Sequence, residues 1–437
     1  MSSQQTAADS TLDPNVYAEL ITIGDEILFG QIVNTNAQWM GVELSNVGIR
    51  VRRHTSVGDK ESEIIAALTE AAQRAHIVLI TGGLGPTKDD ITKHTLAAWF
   101  ESPMAENPEA LAHLEALLAR RGRTLNDLNR QQANQPTKAT YIHNAIGTAP
   151  GMWFDLPKGD QAAHDMVFVS MPGVPAEMKK MMRDIIIPKL VARFDPPIII
   201  HKVIRTIGMA ESNLAELIES WENALPANMS LAYLPSFGQV KLRLTGTGSN
   251  ATELLAVLNE QVNLVLPLIK DYVYGFDQDE LEKVIGRLLQ ERNATLATAE
   301  SFTGGSISQL ITAIPGSSGY FLGGVVAYDN EVKINTLGVE RQLIINHGAV
   351  SPEVAEAMAV GVQRVTGATF AISTTGIAGP GGGSEAKPVG LVYSAVAYPG
   401  GVFSVKQQLL VDRHLNIQMG SLWALNLLRK HLSGIID

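Results

Sequence analysis

Not one of the 437 residues is a cysteine. That excludes disulfides, thiolate zinc sites and a cysteine nucleophile, and leaves serine as a leading candidate for any covalent chemistry. Long apolar runs are missing too. No stretch approaches the 18 uninterrupted apolar residues of a membrane span, so no membrane association is expected. The opening stretch MSSQQTAADSTLDP has no apolar signal core, and residues 1–14 read as a loose tail. A cytoplasmic location is the expectation. Charge is sparse at 18% of residues, with a formal net value of −10 and no dense Lys/Arg run. Direct binding to nucleic acid is therefore not expected, since it needs a basic surface.

What remains is ordinary globular material, 45% hydrophobic, too long for one core. From residue 17 short apolar strands alternate with helical periodicities: YAELITI (17–23), IRVRRHTSV (49–57) and HIVLIT (76–81) are strands, and 39–47 and 61–75 are helices. This alternation predicts a mostly parallel sheet covered by helices on both faces. A second pattern from about 175 mixes helices with the strands 196–208 and 240–248, an α+β arrangement. A third starts near Tyr274. Leu281, Val284, Ile285, Leu288 and Leu289 form one face of an amphipathic helix. Strands follow near 293–299, 321–328, 370–375, 390–397 and 403–411, with a last helix ending near 432.

Two groups of motifs carry chemistry. TGGLGPTKDD (81–90) follows a buried strand and precedes a helix. Gly82, Gly83 and Gly85 let backbone amides approach an anion, and Asp89 and Asp90 suit a hard cation. A tight turn with aspartates capping the next helix is the plainer alternative. GDEILFGQIVNTN (24–36) also follows a strand and adds Asp25, Glu26, Asn34 and Asn36, so two polar loops converge at neighbouring strand ends. In the last third, AESFTGG places Glu300 and Ser301 at a strand end, with Thr303, Gly304 and Gly305 at a helix start suited to an anion or oxyanion. Ser301 as a simple helix N-cap is the alternative. Tyr328 and Lys333 stand after another strand, and a desolvated lysine can take a proton from serine. The glycine-rich stretch 374–390 reads as a loop that is mobile or wraps a ligand. Arg413 offers a fork for phosphate.

IGDEILFGQIVNTN, TGGLGPTKDD, MPGVPAEM, AESFTGG, GGVVAYDNEVK, HGAVS and TGIAGPGGGSEAKPVG together resemble the CinA (competence/damage-inducible protein A) family, over about residues 17–432. The resemblance implies an α/β multidomain chain. It has a three-layer α/β molybdopterin-binding-like domain (15–174), a small KH-like α+β domain without RNA binding (175–268), and an α/β deamidase domain (269–437). It further implies a homodimer and a bifunctional hydrolase of pyridine nucleotide recycling. The C-terminal domain would hydrolyse the carboxamide of nicotinamide mononucleotide (NMN) to nicotinic acid mononucleotide and ammonia without a cofactor. The N-terminal domain would cleave ADP-ribose to AMP and ribose 5-phosphate with a divalent cation, with or without K+.

Carried over by motif, Ser301 is the nucleophile or its equivalent, and Tyr328 and Lys333 are the proton-transfer pair. Glu300, Thr303, Gly304, Gly305, Asn330, Thr375, Gly376, Gly379, Gly381 and Arg413 would bind NMN, with amides near 303–305 stabilising the oxyanion. Gly24, Asp25, Glu26, Asn34, Asn36, Gly82, Gly83, Gly85, Thr87, Pro172 and Gly173 would bind ADP-ribose, with Asp89 and Asp90 on the cation. Many members have Thr at Asp25 and Cys or Leu at Phe302. Two other readings stand beside these: an N-terminal domain that only binds a nucleotide or pterin, and an interaction factor in competence or DNA repair.

Overall fold

The computed structural model describes residues 16–87, 90–159, 161–410 and 412–436. The expected 1–14 tail and Asp89 lie outside them. The chain divides into two compact units, residues up to 200 with 247–251, and 201–246 with 252–437.

The first unit is built on a six-stranded sheet. Its strands are β1 (Val16–Ile23), β2 (Ile49–Val57), β3 (Ile77–Thr81), β6 (Thr140–Ile142), β7 (Gly151–Leu156) and β8 (Met166–Met171), in the order β2-β1-β3-β8-β7-β6. A separate two-stranded ladder pairs β4 (Met104–Glu106) with β5 (Asn134–Pro136). The first four strands are parallel, and β7 and β6 add antiparallel pairs. β3 is buried at every residue, which is why it reads as an unbroken apolar run rather than an alternation. Met40, Leu44, Met178 and Leu190 cover one face, against Leu20, Leu79 and Val169. Ile64, Leu68 and Leu96 cover the other, against Ile21, Val78 and Phe168. The result is three layers. The same packing moves the expected boundary at 174/175. Met178, Met181, Met182, Ile186 and Leu190 complete the first core, so the helical segment 175–194 belongs to the first sheet.

The second unit holds two sheets. The smaller runs β10 (Met229–Ser236), β11 (Gln239–Gly248), β9 (Ile198–Ile207), β12 (Val273–Phe276). β12 lies past the expected boundary at 268/269. The helix Ala251–Ile269 buries Leu254, Leu258, Val262, Val265 and Ile269, one stripe at helical spacing. A side chain at Gly246 would stand 2.8 Å from Leu254, so glycine allows this helix its close approach. Among the described residues this helix alone is long and apolar enough to cross a membrane, by length and composition.

The larger sheet runs β14 (Phe321–Val326), β13 (Leu296–Glu300), β15 (Phe370–Gly376), β16 (Leu391–Tyr398), β17 (Gly401–Gln408). The first three strands are parallel and the last two pair antiparallel. Ile285, Leu289, Ile307, Leu425 and Leu428 pack on one face. Val354, Met358 and Val362 of the helix Pro352–Thr366 pack on the other, against the alanines 297, 299, 371 and 395. The small strand residues bring that helix close to the sheet. Each unit thus sends loops from the carboxyl ends of its parallel strands to one side, where α/β sheets bind ligands.

Candidate functional sites

In the first unit, a cavity of about 490 Å³ opens at the carboxyl ends of β1, β3 and β8. Gly24, Glu26, Asn34, Asn36, Gly82, Gly83, Gly85, Asp90, Pro172 and Gly173 all line it. The glycines are required by space. A Cβ at Gly82 (φ +114°) would lie 2.1 Å from Ile23 O, and one at Gly83 (φ +63°) 2.1 Å from Thr92 Oγ1. The asparagines fasten the walls. Asn34 Nδ2 donates to Thr22 Oγ1 at 2.9 Å while its Oδ1 caps the helix Thr35–Asn46. Asn36 Nδ2 donates to Gly173 O at 2.7 Å.

Two expected residues fall outside this lining. Asp25 is tied through its N–H to Asp59 Oδ2, and Thr87 donates its N–H and hydroxyl to Asp90 Oδ2. So the turn-and-cap alternative for this aspartate is correct in part: one oxygen closes the turn while the residue still faces the cavity.

Asp59, Gln132 and Glu177 line the cavity without having been marked in the sequence. Asp59 follows β2 as Asp25 follows β1, a positional signal that was available. Glu177 stands in the motif MPGVPAEM, four residues after Gly173, a signal that was available, whereas Gln132 comes from a short helical turn that nothing local marks. Among the described residues no Lys, Arg or His lines the cavity. The described side-chain charges on its lining are the carboxylates of Glu26, Asp59, Asp90 and Glu177. Gln132 Oε1 and Asn36 Oδ1 are buried without a hydrogen-bond partner among the described residues. A wall of oxygen acceptors suits a hydrated hard cation that phosphate oxygens would complete. No three carboxylates or histidines among the described residues converge tightly enough to hold a metal alone.

In the second unit, a cavity of about 270 Å³ lies over the carboxyl ends of β13, β14 and β15. Ser301, Tyr328, Asn330, Lys333, Thr375, Gly376, Gly379, Gly381 and Arg413 line it, brought together from four segments. Ser301 is 8% exposed and held by its N–H on Thr374 O at 3.0 Å. It is not a helix cap. The helix starts at Ser306 with Gly305 as the cap residue, and the capping oxygens come from Glu300. The Glu300 carboxylate, fully buried, accepts from the N–H groups of Gly305 (3.0 Å), Ile307 (3.0 Å) and Ser308 (2.8 Å) and from Ser308 Oγ (2.7 Å).

This overturns part of the expected substrate set. Glu300, Thr303, Gly304 and Gly305 do not line the cavity. The Gly305 amide is taken by Glu300 and the Gly304 amide by Ser301 O, so neither is available to an oxyanion. Thr303 pairs its hydroxyl with Thr374 Oγ1 at 2.7 Å. The amides of Phe302 and Thr303 have no acceptor among the described residues and are the donors left at this turn.

Lys333 is 2% exposed, and its Nζ donates to Ala327 O at 2.9 Å and Tyr328 O at 3.2 Å. Burial pushes this ammonium below the ordinary lysine value, opposed by the charge of Asp329. The third Nζ position has no partner among the described residues. The expected pairing of Tyr328 with Lys333 takes a different form. The Tyr328 ring is 62% exposed, and its hydroxyl accepts from Arg413 Nη2 at 3.0 Å, so only its backbone carbonyl serves the lysine. Arg413 Nη1 donates to Gly379 O at 2.7 Å. Thr375 Oγ1 donates to Ala349 O at 2.7 Å and steadies the far wall. Chemically, the cavity offers a buried hydroxyl, an amine biased towards neutrality, and an arginine beside a glycine loop.

A family model described as the CinA C-terminal domain matches residues 278–432. One described as a probable molybdopterin binding domain matches 19–192, and one described as the damage-inducible protein CinA KH domain matches 201–275. A CinA-like protein of Cytophaga hutchinsonii is 50% identical over 424 residues, 97% of this chain and 100% of that protein. Another, of Flavobacterium psychrophilum, is 44% identical over 407 residues, 91% of this chain and 96% of that protein. A solved competence-damaged protein (CinA) superfamily structure from Klebsiella pneumoniae is 28% identical, with a TM-score of 0.35, and covers 36% of this chain and 99% of its own.

Proposed function

The chain belongs to the CinA family, and from that premise we propose that it is a two-site hydrolase of pyridine nucleotide recycling. The second unit would deamidate NMN, and the first would cleave ADP-ribose. What carries the deamidase reading is the meeting of Ser301, Lys333 and Arg413 in one cavity of a size to take a mononucleotide ring and phosphate.

In this reading neutral Lys333 takes the proton of Ser301 Oγ as that oxygen bonds to the carboxamide carbon. The two carbonyls on Nζ orient the amine and leave one position open for the incoming proton. The amides of Phe302 and Thr303 face the developing oxyanion. Collapse breaks the C–N bond and Lys333 returns its proton to the departing ammonia. Water then adds to the ester with Lys333 again as base, releasing nicotinic acid mononucleotide and restoring Ser301. Arg413 and the free amides of the glycine loop bind phosphate. No hydrogen bond joins Ser301 Oγ to Lys333 Nζ in the unliganded site, so the reading requires that contact to form with substrate present. Ser301→Ala should lower NMN turnover by about a thousandfold or more, read as nicotinic acid mononucleotide by chromatography. A loss of only a few fold would remove serine from the chemistry.

In the first unit, carboxylates of the cavity wall, Asp90 among them, would hold a divalent cation only together with the diphosphate oxygens, and the cation would supply charge neutralisation for that diphosphate. The chain itself contributes the amides of Gly83 and Gly85, the Gly82 amide being held by Met171 O, and the shape set by Asn34 and Asn36. Asp90→Ala should abolish metal-stimulated release of AMP while NMN deamidation survives. Because the described carboxylates form no tight metal cluster, a second reading is binding without turnover. Saturable ADP-ribose binding with no product would establish it.

A further inference from the structure

Lys387 stands outside the C-terminal cavity but ties two of its walls together. Its Nζ donates to His347 O at 2.6 Å and to Val350 O at 2.7 Å. Its own backbone closes a turn of the glycine loop: Lys387 N–H donates to Ser384 Oγ at 3.1 Å, and Ser384 N–H to Lys387 O at 2.8 Å. Val350 lines the cavity on one side, and Gly379, Gly381 and Gly382 on the other. Gly348, at φ +77°, makes room for the amine, since a Cβ there would stand 2.8 Å from Nζ.

Residues 380–386 are all exposed, so packing does little to hold them. At the near end the loop is fastened by Arg413 on Gly379 O. At the far end it is fastened by Lys387. Between these two cations the amides of Gly381, Gly382 and Gly383 have no acceptor among the described residues. Such a run of amides binds an anion only if it is held in place. Glycine has the largest backbone freedom to lose, and a free loop would lose it on binding.

We propose that Lys387 is a positioning residue that holds the glycine loop in its anion-binding form before substrate arrives. The proposal rests on the reading of this cavity as the NMN site, with the substrate phosphate as the anion. Lys387 reaches no reacting atom, so it acts on binding and not on the chemical step.

Lys387→Met keeps the stem and removes the donor. Hydrogen exchange of the peptide covering 378–386 in the unliganded protein should quicken by about tenfold or more, because two charge-assisted bonds to carbonyls are lost. Exchange in β15 and in the helix Pro352–Thr366 should stay as it was. Inorganic phosphate should slow exchange of the loop in the unmodified protein, and about tenfold more should be needed in the variant. KM for NMN should rise about tenfold with kcat within about twofold. Unchanged exchange overturns the proposal whatever the kinetics, and so does a fall in kcat at constant KM. If the unmodified protein does not turn over NMN, the deamidase reading fails separately, and the exchange measurements with and without phosphate still decide the role of Lys387.

Discussion

Glu300 is the residue whose expected and observed roles differ most, and it gives a quantitative test. Its carboxylate is fully buried and accepts four hydrogen bonds, three from backbone amides and one from a hydroxyl. Leaving a buried donor unsatisfied costs about 1–3 kcal/mol, and bonds to a charged acceptor lie at the upper part of the range. Glu300→Ala strands three amides, while the Ser308 hydroxyl can turn to Thr298 Oγ1, 2.8 Å away. The loss is then roughly 4–8 kcal/mol, a large part of the 5–15 kcal/mol that holds a typical domain. Glu300→Gln is the informative change. One oxygen can still serve Gly305 and Ile307, whereas the new NH2 group faces Ser308 N–H, donor against donor. One lost amide bond and the lost charge come to about 3 kcal/mol. At an m-value of about 3 kcal/mol/M that lowers the urea midpoint by about 1 M. The chain has two units and its global transition need not be two-state, so the reading should be taken from urea-dependent hydrogen exchange in the helix Ser306–Thr312. KM for NMN should stay within about twofold under conditions where the variant is folded. A stability loss below about 1 kcal/mol with a raised KM would show that Glu300 touches substrate and that the capping argument is wrong.

Lys333 as base predicts that kcat/KM falls as pH drops through its depressed value, because only the neutral amine accepts a proton. Lys333→Arg, charged at every working pH, should be inactive throughout; a variant that kept the acid limb would assign that limb to another group. Lys93 gives a pH test in the first unit, where burial lowers its value from 10.5 to about 8 while Nζ donates to Gln131 O at 2.9 Å. Between those two values the unfolded chain holds a proton that the folded chain does not, so stability rises with pH across that window and the full penalty, about 3 kcal/mol, applies below it. Lys93→Met should therefore stabilise the first unit by about 2 kcal/mol at pH 7 once the lost hydrogen bond is subtracted, with the gain shrinking towards pH 10; a gain constant with pH would contradict this sign. Gly420→Ala places a Cβ 2.3 Å from Phe302 Cζ, beside Ser301, and should lower kcat about tenfold, with Phe302→Leu in the same chain restoring most of it. Failure of the smaller residue to rescue would separate the Phe302 packing from the Ser301 turn.

Legibility followed the range of the interactions. β3 and β13 could be read because their apolar runs end in glycine-containing loops, and both cavities sit at those ends, where the sheet topology puts them. Ser301 and Lys333 are each marked by their own motif, Arg413 by its place after the last strand, and the fold only had to bring them together. The domain boundaries were less readable. Met178 to Leu190 has the spacing of an amphipathic helix, but spacing does not say which sheet its apolar face meets. Gln132 escaped for the same reason, since it reaches the first cavity by tertiary packing alone.

Within the motif AESFTGG the limit is different, because all its residues are close in sequence and still have opposite duties. A carboxylate, a hydroxyl and several amides near a helix start were all readable as ligand-binding groups. What sequence does not show is how they satisfy one another. Glu300 is already at the end of a buried strand, where an unpaired charge is costly, and the nearest donors are the amides of the helix that follows. Once those amides go to Glu300, they are withdrawn from the cavity, and the turn is fixed so that Ser301 and the amides of Phe302 and Thr303 remain. The acid therefore supports the serine by removing its own neighbours from the site, and a loss of Glu300 should be felt first as disorder in the turn that presents Ser301.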